Sequence, residues 1–491
     1  MLLRSIYQYK LTLSFIAGCF LTLCYAPFNI LPFAFLSFYL LLDLAYHEND
    51  TKDYFKIFFA FGFGHFLSSL YWISIALTFE LSKFWWLIPI SLIFIPSIMA
   101  LYLVIVGLIT LRLRHNKILY SIMFSCTWVM IEYVRSYVPF HFAWNNIAYT
   151  IAEFDYPLQI SHFLGLHLTS LFMMIIYTSV FSKNLRYICV IIIIFIISSI
   201  LGYMKISKNP QQFDQEGTVR IVQPSIKEHH MGRSHVKREI LNSLVELSLQ
   251  GLPTSNKAII WSEAALPYVI FNDSKIPQHL AKILTPQNIL ITGADRTENG
   301  EKVYNSIIAI DHFGNILKTY DKEILVPFGE YIPIRNFLPF LENITNGFMD
   351  FSKGVNFDIH TDDLYLNFYP LICYEALYPL KDNYTQNAWM LNITNDAWFG
   401  NSTGPYQHFA MTKFKAAEYG MPLIRVANNG ISAVISMHGQ VLEKIPLNEQ
   451  AAIDVSIPSS HTHKWHISDF NSFVVILLIF FICAFLQRKL I

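Results

Sequence analysis

The sequence predicts two joined parts of different fold class: a polytopic α-helical membrane domain of about eight spans, and an α/β domain set between the last two of them. Three observations carry this. The chain has 491 residues, 54% apolar and only 14% charged, whereas an ordinary globular protein carries roughly 25% charged residues. The apolar excess is concentrated in the first 204 residues and the last 20. Between them, a stretch of about 260 residues alternates short apolar runs such as Val219-Arg220-Ile221-Val222 with polar loops. Thirty-five basic residues balance 35 acidic ones. High hydrophobicity without net charge excludes disorder, and the missing basic excess argues against a nucleic-acid partner.

The windows long enough to cross a bilayer run about 10–27, 29–46, 55–76, 86–110, 118–136, 162–182, 186–204 and 470–487. The expected domains are therefore 1–209 with seven spans, 210–466 as the globular part, and 467–491 with the eighth span and a short tail. Ile16-Ala17-Gly18-Cys19 resembles a lipoprotein cleavage box, but Phe20-Leu21-Thr22-Leu23 continues the apolar run where a polar tether would follow cleavage. The first span is read as uncleaved.

Basic residues beside the spans set the orientation. With the N-terminus inside, the inner flanks hold Arg4, Lys10, Lys52, Lys56, Arg112, Arg114, Lys117, Lys183, Arg186, Arg488 and Lys489; the short outer loops hold Lys83 and Arg135. Eleven against two places the globular domain outside, on the non-cytoplasmic face, which in a bacterium is the periplasm. Glu132 and Arg135, three apart on one span, are expected to pair near the outer interface.

Of the six cysteines, Cys19, Cys24, Cys126, Cys189 and Cys483 fall in apolar spans, where a thiol behaves as a small hydrophobe. Only Cys373 belongs to the outer domain, so it has no disulfide partner there and is either a buried, inert thiol or a candidate nucleophile, between which its context decides. It ends an apolar run from Leu364 that reads as a strand, with Pro370 marking an edge or bulge. A nucleophile at the sharp exit of a strand is held rigidly and stays accessible. A thiol also needs a base and a cation for the oxyanion. Glu263 closes the strand Ala258–Trp261, and Lys322 precedes the turn Val326-Pro327-Phe328-Gly329-Glu330. No Cys-x-x-Cys, His-Glu-x-x-His, Gly-x-Ser-x-Gly or phosphate-loop pattern competes, so no metal or cofactor is expected. His461, His463 and His466 read as a polar collar before the last span.

With those residues in view, the outer domain resembles the nitrilase, or carbon–nitrogen hydrolase, superfamily, whose triad is Glu–Lys–Cys in that chain order. The whole chain resembles the apolipoprotein N-acyltransferase family. The matches are Lys322 with Leu325 through Glu330, Cys373-Tyr374-Glu375, Asn395 through Gly400, and Arg425 through Gly430. Ala26-Pro27-Phe28, Gly62-Phe63-Gly64 and Trp128 with Glu132 and Arg135 extend it into the membrane part. Three departures stand out: Ser262 where the family has proline before the glutamate, no tryptophan in Val222–Met231, and His141-Phe142-Ala143-Trp144 for Gly-Phe-Pro-Trp.

The resemblance implies an αββα sandwich. It also implies transfer of an acyl chain from a phospholipid, through a Cys373 thioester, to the N-terminal amine of a diacylglyceryl-cysteine apolipoprotein. Glu263, Lys322 and Cys373 would be catalytic, Glu330, Tyr374 and Glu375 supporting, and Phe328, Trp398 and Phe399 an apolar entrance for acyl chains. The expected partners are the phospholipid donor, the apolipoproteins and the bilayer, with the enzyme a monomer. The alternatives are a membrane-tethered amidase using the same triad, or a scaffold with an inactive domain.

Overall fold

The computed structural model describes residues 9–138, 141–226, 234–270, 275–298, 302–333, 350–355, 363–381, 384, 385, 387–459 and 467–489. The chain divides into one unit of residues 1–209, 401–414 and 465–491, and a second of residues 210–400 and 415–464.

The first unit is helical. It comprises α1 (Lys10–Thr22), α2 (Pro32–Tyr46), α3 (Thr51–Leu70), α4 (Leu87–Thr110), α5 (Lys117–Tyr137), α6 (Ser161–Thr178), α7 (Leu185–Lys208) and a C-terminal helix, Asp469–Arg488. Short polar side chains start several of them: Asp50 accepts from the Lys52 N–H, Asn116 from Ile118 and Leu119, Asn184 from Tyr187, and Ser468 from Asn471. Helices α1 and α3 cross closely at Gly18, where a Cβ would lie 2.0 Å from the Phe61 carbonyl oxygen. Phe38, Phe61, Phe124 and Trp128 form an aromatic centre behind that crossing. Outward, α7 leaves Val190, Ile193, Ile196, Ile197 and Ile200 half exposed or more. A continuous apolar face of that kind belongs against lipid.

Among the described residues, five helices are long and apolar enough to cross a membrane: α4, α5, α6 continued to Ser182, α7 and the C-terminal helix. Helices α1 and α2 have 13 and 15 residues, about 20 Å and 23 Å at 1.5 Å per residue, against a hydrocarbon core of about 30 Å. The windows 10–27 and 29–46 are longer because they include the apolar turn residues between the two helices. Helix α3 has 20 residues but carries Lys52, Asp53 and Lys56 in its first two turns.

The second unit stacks two sheets. The first has six strands in the order β11-β1-β2-β3-β4-β5, and the second has five in the order β10-β9-β8-β7-β6. Their ranges are β1 (Gln212–Gln223), β2 (Asn256–Ile260), β3 (Ile289–Glu298), β4 (Lys302–Ile310), β5 (Ile316–Asp321), β6 (Phe368–Ile372), β7 (Trp389–Thr394), β8 (Leu423–Ala427), β9 (Ser432–Ile435), β10 (Val441–Ile445) and β11 (Ala451–Ser459). Each sheet holds a parallel trio, β1-β2-β3 and β6-β7-β8, continued by antiparallel strands.

Alternation along the strands explains the layers. Val219, Ile221, Ala258, Ile260 and Ile291 of the first sheet pack with Ile372, Trp389, Leu391, Ile393 and Val426 of the second. The opposite side chains Val222, Ile259, Trp261 and Leu290 meet Ile240 and Leu244 of α8 (Ser234–Leu249). On the second sheet's side, Tyr419 at the end of α9 (Gly404–Tyr419) is fully buried, and its hydroxyl accepts from the Leu380 N–H at 3.0 Å. Pro370 sits on β6, the edge strand, where a missing N–H costs no ladder bond.

Candidate active site

Three strand ends of the second unit converge on one buried polar cluster. Glu263 follows β2, Lys322 follows β5, and Cys373 follows β6. Carboxyl ends of parallel strands are where open α/β sheets bind ligands. Gly293 on β3 makes room for the first of them, since a Cβ there would lie 2.6 Å from the Glu263 Cα.

Lys322 is 1% exposed. Its Nζ donates to Glu330 Oε1 at 3.0 Å and to Glu263 Oε1 at 3.5 Å. Burial works against its charge, but the Glu330 and Glu263 carboxylates outweigh that and hold its pKa above the ordinary lysine range. The ammonium is therefore fixed. Its backbone is fixed as well, the N–H donating to the Asn305 carbonyl at 2.8 Å and the carbonyl accepting from Gly354 at 2.8 Å.

Glu263 spends both oxygens. Oε1 also accepts from Asn305 Nδ2 at 2.8 Å, and Oε2 accepts from the Asn395 N–H at 2.7 Å. Glu330 closes its own turn by accepting from the Val326 N–H at 2.8 Å, and shares Asn305 Nδ2 at 3.0 Å. That turn holds Phe328 in a left-handed conformation, φ 64°.

Cys373 leaves β6 with φ 51° and opens the 3-10 turn Cys373–Leu377. A left-handed non-glycine residue is strained, and the strain fits the sharp strand exit that its sequence context suggests. Burial, then the Glu263 charge, push the thiol pKa up, while the Lys322 ammonium pulls it down. The resting sulfur is a thiol beside an anchored carboxylate and an anchored ammonium.

Glu375 fastens this turn to the lysine's segment. Its Oε2 accepts from the Ile372 N–H at 2.8 Å; Oε1 accepts from Glu323 N–H at 2.7 Å, Ile324 N–H at 3.1 Å and the Tyr320 hydroxyl at 2.8 Å. Burial raises its pKa to about 7, against the lowering effects of the Ile372 N–H and Lys322. A carboxyl raised in the folded state favours folding most below its ordinary value near 4.5. That contribution is lost as pH rises through about 7. Glu375→Gln should remove this slope, so the melting-temperature gap between wild type and variant changes between those two pH values and is flat above them. Four donors converge on the two carboxylate oxygens, and the NH2 of Gln cannot accept where it replaces one of them, so the variant is also expected to melt lower at every pH.

The remaining expected residues are placed as follows. Tyr374 is buried beside Tyr378 at a ring-centroid distance of 5.3 Å. Phe328 is exposed, and Trp398 and Phe399 are half-buried on the turn Asp396–Phe399 after β7, the strand next to β6. The collar His461, His463 and His466, and residues 227–231 of the segment without tryptophan, lie outside the described residues. Glu132 and Arg135 are both tied to the 144–147 segment: Glu132 Oε1 accepts from the Ile147 N–H at 3.0 Å, and Arg135 Nη2 donates to the Trp144 carbonyl at 2.8 Å. The six cysteines are free. Among the described residues no group of three or more His, Cys, Asp or Glu side chains could hold a metal ion.

Sequence reasoning did not single out Asn305. One side-chain amide joins Glu263 and Glu330 to the same ammonium. The available signal was the polar pair Asn305-Ser306 inside a strand whose remaining residues from Val303 to Ile310 carry apolar or aromatic side chains. Asp295, its register partner on β3, is pushed up to about 6 by burial and then by the charges of Glu263 and Glu330. Asn305→Ala leaves two buried carboxylates each short of a donor. It is expected to cost about 1–3 kcal/mol of stability and about tenfold in rate, checked by melting and turnover in parallel.

The Asn395 and Arg425 motifs frame the same site. Arg425 Nη2 donates to Asp396 Oδ2 at 2.7 Å with both side chains fully buried, and Asn428 Nδ2 donates to Asn395 Oδ1 at 3.0 Å. This orients the Asn395 N–H onto Glu263.

Two stacked mixed sheets with a buried glutamate, a buried lysine and a half-buried cysteine at their strand ends define a carbon–nitrogen hydrolase domain, and the Carbon-nitrogen hydrolase family model matches residues 213–467. The model of the Apolipoprotein N-acyltransferase N-terminal domain matches residues 17–178. The apolipoprotein N-acyltransferase of Rickettsia typhi is 36% identical over 485 residues, 95% of this chain and 96% of that protein. That of Brucella melitensis is 31% identical over 481 residues, 92% of this chain and 90% of that protein. The chain belongs to the apolipoprotein N-acyltransferase family.

Proposed function

We propose that this protein is an acyltransferase that moves an acyl chain from a membrane phospholipid to the N-terminal amine of a diacylglyceryl-cysteine apolipoprotein, the last step of lipoprotein maturation. The observation that carries the reading is the Lys322 ammonium held between Glu263 and Glu330, with Cys373 at a strained strand exit acted on by the same charges. Its relatives are named for this activity.

The chemistry follows from the groups. Glu263 takes the Cys373 proton as sulfur attacks the ester carbonyl. Lys322 and the Tyr374 N–H stabilise the oxyanion, and a lysophospholipid leaves with that proton. The apolipoprotein amine then attacks the thioester, loses a proton to Glu263, and returns the thiol through ping-pong kinetics. Glu330 and Glu375 position Lys322 and Cys373. Phe328, Trp398 and Phe399 supply apolar surface for the incoming chains.

Both substrates are lipid-anchored, and lifting a chain from the bilayer costs about 0.8 kcal/mol per CH₂. Eight spans, with basic inner flanks and the catalytic domain on the periplasmic face of the inner membrane, keep a monomeric enzyme beside both. The test is incubation of the purified chain with phospholipid and a diacylglyceryl-cysteine peptide. N-terminal blocking of the peptide with release of lysophospholipid is expected. Ammonia release from small amides without any lipid requirement would replace this reading with an amidase.

A further inference from the structure

The helical unit holds a second concentration of buried polar groups, in a cavity between α3, α4 and α5. Phe66, Leu103 and Ile131 line its apolar side, and Glu132, Arg135 and Asn145 its polar side. Glu132 is 5% and Asn145 2% exposed. Glu132 Oε1 accepts from Trp128 Nε1 at 2.9 Å and from the Ile147 N–H at 3.0 Å. Its Oε2, together with Oδ1 and Nδ2 of Asn145, has no hydrogen-bond partner among the described residues. Arg135 acts on Glu132 through its charge, while its Nη2 donates to the Trp144 carbonyl at 2.8 Å and to Asn146 Oδ1 at 2.9 Å, and the guanidinium stands 5.4 Å from the Phe66 ring centroid.

A buried polar atom without a partner costs about 1–3 kcal/mol. Three such atoms on one cavity is a cost that a bound group would remove. An ionisable residue inside a helical membrane unit is itself a mark of function. The polar end accommodates a group about the size of one water molecule. Helices α4 and α5 also present exposed Leu101, Ile105 and Val134, a surface suited to an acyl chain.

We propose that this cavity binds the polar head of a membrane amphiphile carrying an N–H or O–H donor. The donor enters the polar end and bonds Glu132 Oε2 and Asn145 Oδ1. A primary ammonium and a hydroxyl share this chemistry; a quaternary ammonium has no hydrogen to donate. The site rests on the helical unit alone and does not depend on the acyl-transfer reading.

The test is native mass spectrometry of the full chain in detergent with lipids of matched chains and ethanolamine, glycerol or choline heads. Ethanolamine or glycerol lipid should be retained about tenfold over choline lipid. Preference for the first identifies the ammonium, and for the second the hydroxyl. Retention should be lost in Asn145→Leu. It should also be lost in Leu103→Trp, which narrows the cavity but leaves Glu132 and Asn145 intact. Equal retention of all three heads, no retention, preference for choline, or retention untouched by both variants overturns the proposal and leaves a water site.

Discussion

Cys373→Ser is expected to lower acyl transfer by about 10⁴-fold or more while leaving the melting temperature close to wild type. The size of the loss comes from the acidity of the nucleophile. Burial already holds the thiol above its ordinary pKa, so Glu263 must take the proton as the bond to carbon forms. A serine hydroxyl in the same pocket is far less acidic and would meet the same penalty from a higher starting point. The fold should tolerate the change, because sulfur and oxygen are of similar shape and the turn is held by Glu375, not by the nucleophile. Transfer rate and thermal melting on the same preparation check the two halves together. A variant with substantial activity would remove Cys373 from the mechanism.

Lys322→Met is expected to damage both stability and rate. The ammonium lies between Glu330 at 3.0 Å and Glu263 at 3.5 Å, and both carboxylates also lean on the one amide of Asn305. Without the cation, two buried like charges face each other, and breaking a buried ion pair costs about 3–5 kcal/mol. Protonating one carboxyl should then relieve the repulsion, so the variant should regain stability relative to wild type as pH falls. Loss of an oxyanion donor separately costs about 10²–10³ in rate. The two effects can be parted: Lys322→Met combined with Glu330→Gln should recover much of the melting temperature and none of the activity. Recovery of activity in the double variant would show that Lys322 serves only to neutralise the glutamates.

Much of this was legible in the sequence because two of its signals are long and cumulative. The apolar runs from residue 86 onward form crossing-length helices, with Pro96 taken up inside α4 and a kink at Gly165 in α6. The runs before residue 70 map onto two shorter helices and one with charges in its first turns. A hydropathy window does not see that the chain turns between Thr22 and Pro32, so turn residues were added to two short helices. In the second unit, Cys373, Glu263 and Lys322 were legible as polar residues at the ends of apolar strands. Asn305 was not, because its importance lies in which two side chains its amide faces across the cluster. No periodicity encodes that. Glu132 and Arg135 illustrate the same limit: helical spacing suggested a mutual pair, whereas the 144–147 segment offers each of them backbone partners.

The central claim is that Cys373 carries the acyl chain between two lipid substrates. The most direct measurement is the intact mass of the full chain after incubation with phospholipid of defined chain length and no amine acceptor. The account predicts a mass increase of one acyl group on Cys373, removed by hydroxylamine, discharged by added diacylglyceryl-cysteine peptide, and missing in Cys373→Ser. Peptide acylation proceeding at full rate with no adduct on Cys373 at any time would contradict it.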